Sequence, residues 1–147
     1  MRVLLVEDNP GDARLVEWYL SKPGCDTFRV TRAERLSDAL RELTATRFDL
    51  VLLDLSLPES SGLDTVRSAR RAAGMTPIVV MTGLDDEETA LAALREGAQD
   101  YLVKGKFDSY ELTRSLRYSV ERQRVELALR QTKEALEAII AATPAAV

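Results

Sequence analysis

The run Leu50-Val51-Leu52-Leu53 constrains this chain more than any other stretch, because it is apolar without alternation and ends in a lone carboxylate, Asp54. A short unbroken apolar run bounded by turn signals is the pattern of a strand buried on both faces, as in a parallel sheet. Asp54 then sits at the carboxyl end of that strand, ahead of the Pro58 loop. In open α/β sheets, ligands bind at that edge.

The rest of the chain alternates strand and helix patterns. Val3–Val6 predicts a buried strand, and Asp12–Leu20 a helix with Leu15, Val16, Tyr19 and Leu20 on one stripe, stopped by Lys22-Pro23-Gly24. Thr27–Thr31 alternates polar and apolar residues, as a half-exposed edge strand does. A second helix is expected from Ala33 to Thr44, with Leu36, Ala39, Leu40 and Leu43 at helical spacing. Beyond Ser60-Ser61-Gly62, a third helix runs from Leu63 to Ala73 and stops at Gly74. Pro77–Met81 predicts the fourth strand, broken by Thr82-Gly83, and four acids, Asp85 to Glu88, suit the start of a fourth helix ended by Gly97. Asp100–Lys104 is the fifth strand, and Asp108 with Glu111 forms a capping box for a fifth helix. Strict alternation of five strands and five helices predicts a doubly wound parallel sheet.

The last helix exceeds what that sheet needs. Nothing between Ser109 and Ala141 breaks it, so about 33 residues make a rod of roughly 50 Å, where about 11–12 residues suffice to cover a sheet. Leu116, Val120 and Leu127 form one apolar set. Val125, Leu129, Leu136 and Ile139, with Thr132 between, step by four and three as in a heptad seam. Glu126 stands four residues before Arg130 in the favourable order for an ion pair. Two readings fit this pattern, a lone solvated helix and a parallel homodimer seam, and the heptad spacing favours the homodimer through the projecting helix.

Composition excludes several chemistries. There is no histidine and one cysteine, Cys25, which rules out a Ser-His-Asp or Cys-His system, an internal disulfide and an ordinary zinc site. Cys25 is expected to be a small buried or half-buried residue. A net charge of −4 gives no electrostatic reason for direct nucleic-acid binding. The first residues are too briefly apolar for a signal peptide, and no stretch reaches transmembrane length. The expectation is a cytoplasmic protein without membrane contact.

Each strand-to-helix junction delivers a chemical group to one rim: Glu7 and Asp8 after strand 1, Asp54 at the end of strand 3, Thr82 after strand 4 and Lys104 after strand 5. Converging carboxylates repel by on the order of 4 kcal/mol per close pair at an effective dielectric of 20. Lys104 offsets one charge, and a hard divalent cation, Mg²⁺ or Mn²⁺, suits the remaining oxygens. This set fits phosphoryl transfer, with Asp54 as nucleophile, the metal and Lys104 neutralising the transferring oxygens, and Thr82 donating to the phosphate. Taken singly, each residue is ordinary surface or turn chemistry. Their joint placement at four junctions is not.

Glu7-Asp8-Asn9, Leu53-Asp54-Leu55 with Pro58 and Gly62, Met81-Thr82-Gly83, Gly97-Ala98-Gln99-Asp100-Tyr101 and Val103-Lys104 resemble the receiver domain of two-component response regulators. The resemblance covers residues 1–120 and implies a flavodoxin-like sheet of order 2-1-3-4-5. It implies Asp54 as acceptor of a phosphoryl group from a sensor histidine kinase or phosphotransfer protein. Glu7 and Asp8 would serve the Mg²⁺ site, with the backbone carbonyl of Ser56 completing it. Thr82 and Lys104 would read the phosphoryl group, Tyr101 would be the switch aromatic, and helix 4, strand 5 and helix 5 would form the output face. The chain would catalyse only its own aspartyl phosphorylation and dephosphorylation. The family usually has Pro after the lysine, and here Gly105 follows, which loosens that loop without removing its charge. The small Ser56 side chain implies a labile phosphate.

Residues 121–142 are then a helical linker, and the tail Leu129–Val147 resembles the lead-in to a PAS domain that 143–147 would begin, with any kinase activity belonging to a downstream part. Three other readings share features. An FMN-binding flavodoxin would need an anion-cradling first loop, and Glu7-Asp8-Asn9-Pro10 repels anions. A haloacid-dehalogenase-type phosphatase wants a second acid where Ser56 stands. The alternative function is a phosphorylation-independent pseudo-receiver serving as an interaction module, which the full set of reactive groups disfavours.

Overall fold

The computed structural model describes residues 1–22, 27–60 and 62–144. Ten elements alternate: β1 (Arg2–Val6), α1 (Pro10–Leu20), β2 (Arg29–Ala33), α2 (Leu36–Ala45), β3 (Leu50–Asp54), α3 (Leu63–Ala73), β4 (Ile78–Thr82), α4 (Glu87–Arg95), β5 (Asp100–Val103) and α5 (Ser109–Ala142). The sheet is parallel throughout, in the order β2-β1-β3-β4-β5.

The apolar runs behave as their lack of alternation demands. Every residue of β3 and β4 is buried, because helices cover both faces. On one face Leu4, Val6, Val51, Leu53, Ile78 and Val80 pack with residues of α2, α3 and α4. On the other, Val3, Leu5, Leu50, Leu52, Val79 and Met81 meet α1 and the first half of α5. Burying each such side chain stabilises the fold by about 1.5–3 kcal/mol. Strand β2 alternates between exposed and half-buried positions, as an edge strand should.

Several boundaries differ from the sequence expectation. Helix α1 begins at Pro10 rather than Asp12, because Asn9 Oδ1 accepts from the amides of Gly11 (2.9 Å) and Asp12 (3.1 Å) and Pro10 occupies the first turn. Its buried stripe is Ala13, Val16 and Leu20, while Leu15 is exposed. Strand β2 starts at Arg29, in register with Arg2, and α2 starts at Leu36. Strand β4 runs on through Thr82, which pairs with Val103, so that hydroxyl belongs to the sheet rather than to the turn. Two of the four acids, Glu87 and Glu88, lie in the first turn of α4, with Asp86 as its cap residue. The expected helix stop at Pro23-Gly24 and the placement of Cys25 lie outside the described residues.

Helix α5 divides at Gln123. Asp108 Oδ1 caps it by accepting from Glu111 N at 2.8 Å, and Leu112, Leu116, Val120 and Gln123 are buried against the sheet. From Arg124 to Ala142 every residue is exposed except half-buried Leu127. Val125, Leu129, Leu136 and Ile139 are between 55 and 69% exposed. Arg130 Nη1 points at Met75 Sδ, 3.7 Å away, rather than at Glu126. No helix among the described residues is long and apolar enough to cross a membrane.

Candidate functional site

The carboxyl rim of the sheet gathers charged side chains that a folded protein ordinarily leaves in water. Glu7 follows β1 directly and its side chain is wholly buried, while Asp8 is half-buried. Two contacts fix this acidic loop to β2. Glu7 N donates to Ala33 O at 3.0 Å, and the Arg32 guanidinium donates from Nε to Glu7 O (3.1 Å) and from Nη2 to Asp8 O (3.2 Å). Asn9 N donates to Glu7 Oε1 at 3.1 Å, which turns that carboxylate inward.

Asp54 ends β3 beside β1 and is 2% exposed. Ser56 N donates to its Oδ1 at 3.1 Å, and Lys104 Nζ donates to its Oδ2 at 3.0 Å. Lys104 starts from the end of β5, two strands away, and its long stem spans the end of β4. Its backbone is anchored there, since Lys104 N donates to Thr82 O at 2.8 Å. Gly105 follows with φ +83°, a left-handed conformation that a side chain would disfavour.

One ammonium serves three carboxylates. Lys104 Nζ lies 2.7 Å from Glu7 Oε2, 3.0 Å from Asp54 Oδ2 and 3.0 Å from Asp12 Oδ2. The contact with Glu7 is the shortest of the three, and Glu7 Oε2 is buried with the ammonium as its close charged partner. Burial is the largest influence on Glu7 and, reinforced by the neighbouring Asp54, outweighs Lys104 and pushes its carboxyl up to about 7. Burial alone would lower the Lys104 pKa, but Glu7, Asp12 and Asp54 more than offset it and hold the ammonium firmly charged.

The donor set suits a hard divalent cation. Glu7, Asp8 and Asp54 each offer a carboxylate oxygen, all within 4.8 Å of one another, and oxygen-only ligands are what Mg²⁺ takes. Thr82 is buried and its Oγ1 has no hydrogen-bond partner. A buried hydroxyl in that condition is free to donate to an arriving anion. Tyr101 stands apart from the cluster. It pairs in register with Val80 and packs half-buried against the apolar face covered by α2, α3 and α4.

Glu7, Asp8, Asp54 and Lys104 therefore converge as the sequence predicts, with Thr82 joined through the backbone of Lys104. Two further residues at the rim escaped sequence reasoning. Asp12 looks in sequence like an ordinary acid in a first helical turn, and Arg32 like an exposed edge-strand residue. A hint for Asp12 is its position four residues after Asp8, one helical turn into the helix that the acidic loop starts.

Comparison with known proteins agrees with the fold. The family model described as "Response regulator receiver domain" matches residues 3–117. The chain is 36% identical over 104 residues to the cell cycle transcriptional regulator CtrA of Caulobacter vibrioides, covering 71% of this chain and 44% of that protein. It is 37% identical over 125 residues to the DNA-binding response regulator MtrA of Mycolicibacterium smegmatis, covering 85% and 53%. The chain spans about half the length of the curated relatives it matches. Among solved structures, NtrX from Brucella abortus superposes with a TM-score of 0.78 at 26% identity, covering 89% of this chain and 29% of that one. A receiver domain protein from Clostridium thermocellum shares the fold with a TM-score of 0.74 at 24% identity, covering 84% and 97%.

Proposed function

This chain belongs to the response regulator receiver domain family, and from that premise we propose that it is a phosphorylation-dependent switch that accepts a phosphoryl group on Asp54. The observation that carries this reading is the set of side chains around Asp54: two further acids positioned for a cation, one lysine, and a buried hydroxyl with no partner.

In the reaction an Asp54 carboxylate oxygen attacks phosphorus. The new O–P bond forms as the bond to the donor breaks, which for a phosphohistidine is N–P, and the imidazole leaves with its electron pair and takes up a proton. Glu7, Asp8 and Asp54 would hold Mg²⁺ or Mn²⁺, with the Ser56 backbone carbonyl as a further ligand. When bound, the cation neutralises negative charge on the transferring oxygens. Lys104 is oriented to pair with a phosphoryl oxygen once Asp54 Oδ2 no longer accepts from it, and Thr82 Oγ1 donates to another. Moving Thr82 toward the phosphoryl group opens space beside β4, into which Tyr101 can turn. That rearrangement would alter the face formed by α4, β5 and α5.

The donor is a sensor histidine kinase or phosphotransfer protein, which sets the working compartment as the cytoplasm. The receiver unit spans 1–120 and 121–142 is a linker helix. Through Val125, Leu129, Thr132, Leu136 and Ile139 the linker pairs in a parallel homodimer and carries the switch state onward. The matched stretch is only 53% of the relative named for DNA binding, and the net charge of −4 over residues 1–147 gives no electrostatic reason for direct nucleic-acid binding.

Incubation with acetyl phosphate and Mg²⁺ tests the central point. Wild type is expected to gain one acid-stable, alkali-labile phosphate and Asp54→Asn none. Equal labelling of both, or of neither, rejects Asp54 as the acceptor.

A further inference from the structure

Lys104 has three N–H bonds, and in this structure three carboxylates surround it. They are not equivalent. Glu7 and Asp54 are buried and belong to the cluster whose oxygens lie within 4.8 Å of one another, together with Asp8. Asp12 is outside that cluster, its side chain is 44% exposed, and it comes from the first turn of α1 rather than from a strand end. Phosphorylation changes the three contacts differently. The Asp54 carboxylate loses its own negative charge when the acyl phosphate forms, and Glu7 has an alternative partner in a cation. Asp12 has neither outlet.

We propose that Asp12 is a positioning and specificity-determining residue that competes with the phosphoryl group for Lys104 and places a fixed negative charge at the mouth of the site. The inference rests on the phosphoacceptor reading of Asp54. Its physical basis is simple electrostatics: a carboxylate 3.0 Å from Nζ stabilises the ammonium where it stands, and the same charge repels an approaching phosphate dianion. Both effects oppose phosphorylation by a small, freely diffusing anion. A protein donor is affected less, because its own contacts with the receiver supply binding energy that a small anion lacks.

Asp12 has a competing structural role to separate from this one. An acid in the first turn of a helix favours the helix dipole, and the Asp12 amide takes part in the Asn9 cap. The substitution Asp12→Asn retains the backbone cap and removes only the charge. The Asn9 cap and the α1 core residues Ala13, Val16 and Leu20 are untouched, so a small fall in melting temperature is expected.

The test measures, for wild type, Asp12→Asn and Asp12→Glu, the affinity for beryllofluoride in the presence of Mg²⁺, the rate of labelling by acetyl phosphate, and the affinity for Mg²⁺ alone. Glu137→Gln, a charge loss on the projecting half of α5, controls for net charge. Asp12→Asn is expected to bind beryllofluoride about threefold to tenfold more tightly and to label correspondingly faster at subsaturating acetyl phosphate, with Mg²⁺ affinity within about threefold of wild type. Asp12→Glu and Glu137→Gln are expected to resemble wild type. Unchanged or weaker beryllofluoride binding by Asp12→Asn overturns the proposal. So does an equal gain in Glu137→Gln, or a tenfold loss of Mg²⁺ affinity, which would make Asp12 part of the metal site. If wild type itself binds no beryllofluoride and takes no label, the phosphoacceptor reading has failed rather than the role of Asp12.

Discussion

The sheet rim and the projecting half of α5 invert the usual distribution of side chains in opposite senses. At the rim, Glu7 and Asp54 are carboxylates with almost no solvent exposure. On the helix, Val125, Leu129, Leu136, Ile139 and Ile140 are apolar and more than half exposed. Buried charge is costly unless compensated, and a contiguous exposed apolar stripe invites a partner. At the rim the buried charge is paired with Lys104, and on the helix the apolar side chains face solvent. The difference is in what holds each in place. The rim is over-determined by Arg32, Asn9, Ser56 and Lys104, whereas the helix beyond Gln123 rests mainly on its own backbone ladder.

The largest effect that sharpens this contrast comes from Lys104→Met. It leaves Glu7 and Asp54 facing each other without a cation, and chemical denaturation at neutral pH should show a loss of about 2 kcal/mol. That is below the 3–5 kcal/mol typical when a fully buried pair is broken, because Lys104 retains some solvent contact. Added Mg²⁺ should recover much of the loss, since a cation replaces the missing charge.

A pH series comes next. The Glu7 carboxyl is raised from its ordinary 4.5 to about 7, so the metal-free folded state holds this proton more tightly than the unfolded chain does. Its contribution to stability is fully present below the ordinary carboxylate pKa and is lost as pH rises through about 7. Mg²⁺ must displace the same proton, so calorimetry should find an affinity that falls up to about tenfold per pH unit below 7 and levels off above it. A flat Mg²⁺ affinity between pH 5 and about 7 would break the link between buried Glu7 and the metal.

Thr82→Val should act in the opposite direction. Replacing a buried hydroxyl that lacks a partner by an isosteric methyl is expected to raise unphosphorylated stability by about 1 kcal/mol. The same variant should bind beryllofluoride more weakly. A destabilised Thr82→Val would mean that the hydroxyl is satisfied in the unphosphorylated state.

The smallest effect on folding should come from the helix. Leu129→Lys with Leu136→Lys touches nothing in the sheet, so the stability of the receiver unit should change by less than about 0.5 kcal/mol. Sedimentation should nonetheless shift from dimer to monomer. A wild-type monomer with and without beryllofluoride would remove the seam from the account.

Much of this was legible in the chain itself. Leu50–Leu53 announces a doubly buried strand, Gly74 and Gly97 mark helix ends, and Asp108 caps the last helix as expected. The acids, hydroxyl and lysine of the rim were legible because each closes a strand, and a strand end is a local property. Leu15 is exposed although it fits the expected stripe, because one helical stripe fits two neighbouring faces equally well and only the position of the sheet decides which is buried. Asn9 and Pro10 fit the acidic loop and the start of α1 equally well in sequence, and only the hydrogen bonds from the Gly11 and Asp12 amides to Asn9 Oδ1 decide for the cap.

The amino-acid sequence alone determined which segments are strands and helices, and which reactive groups each strand end presents, because periodicity and turn chemistry act over a few residues. Tertiary structure alone decided that Asp12 meets a lysine 92 residues away, that Arg32 clamps the acidic loop, and that Glu7 loses all contact with solvent. These follow from β1 lying between β2 and β3 while Lys104 reaches over the end of β4. Convergence of that kind is set by strand order and the reach of a side chain, which no local pattern encodes.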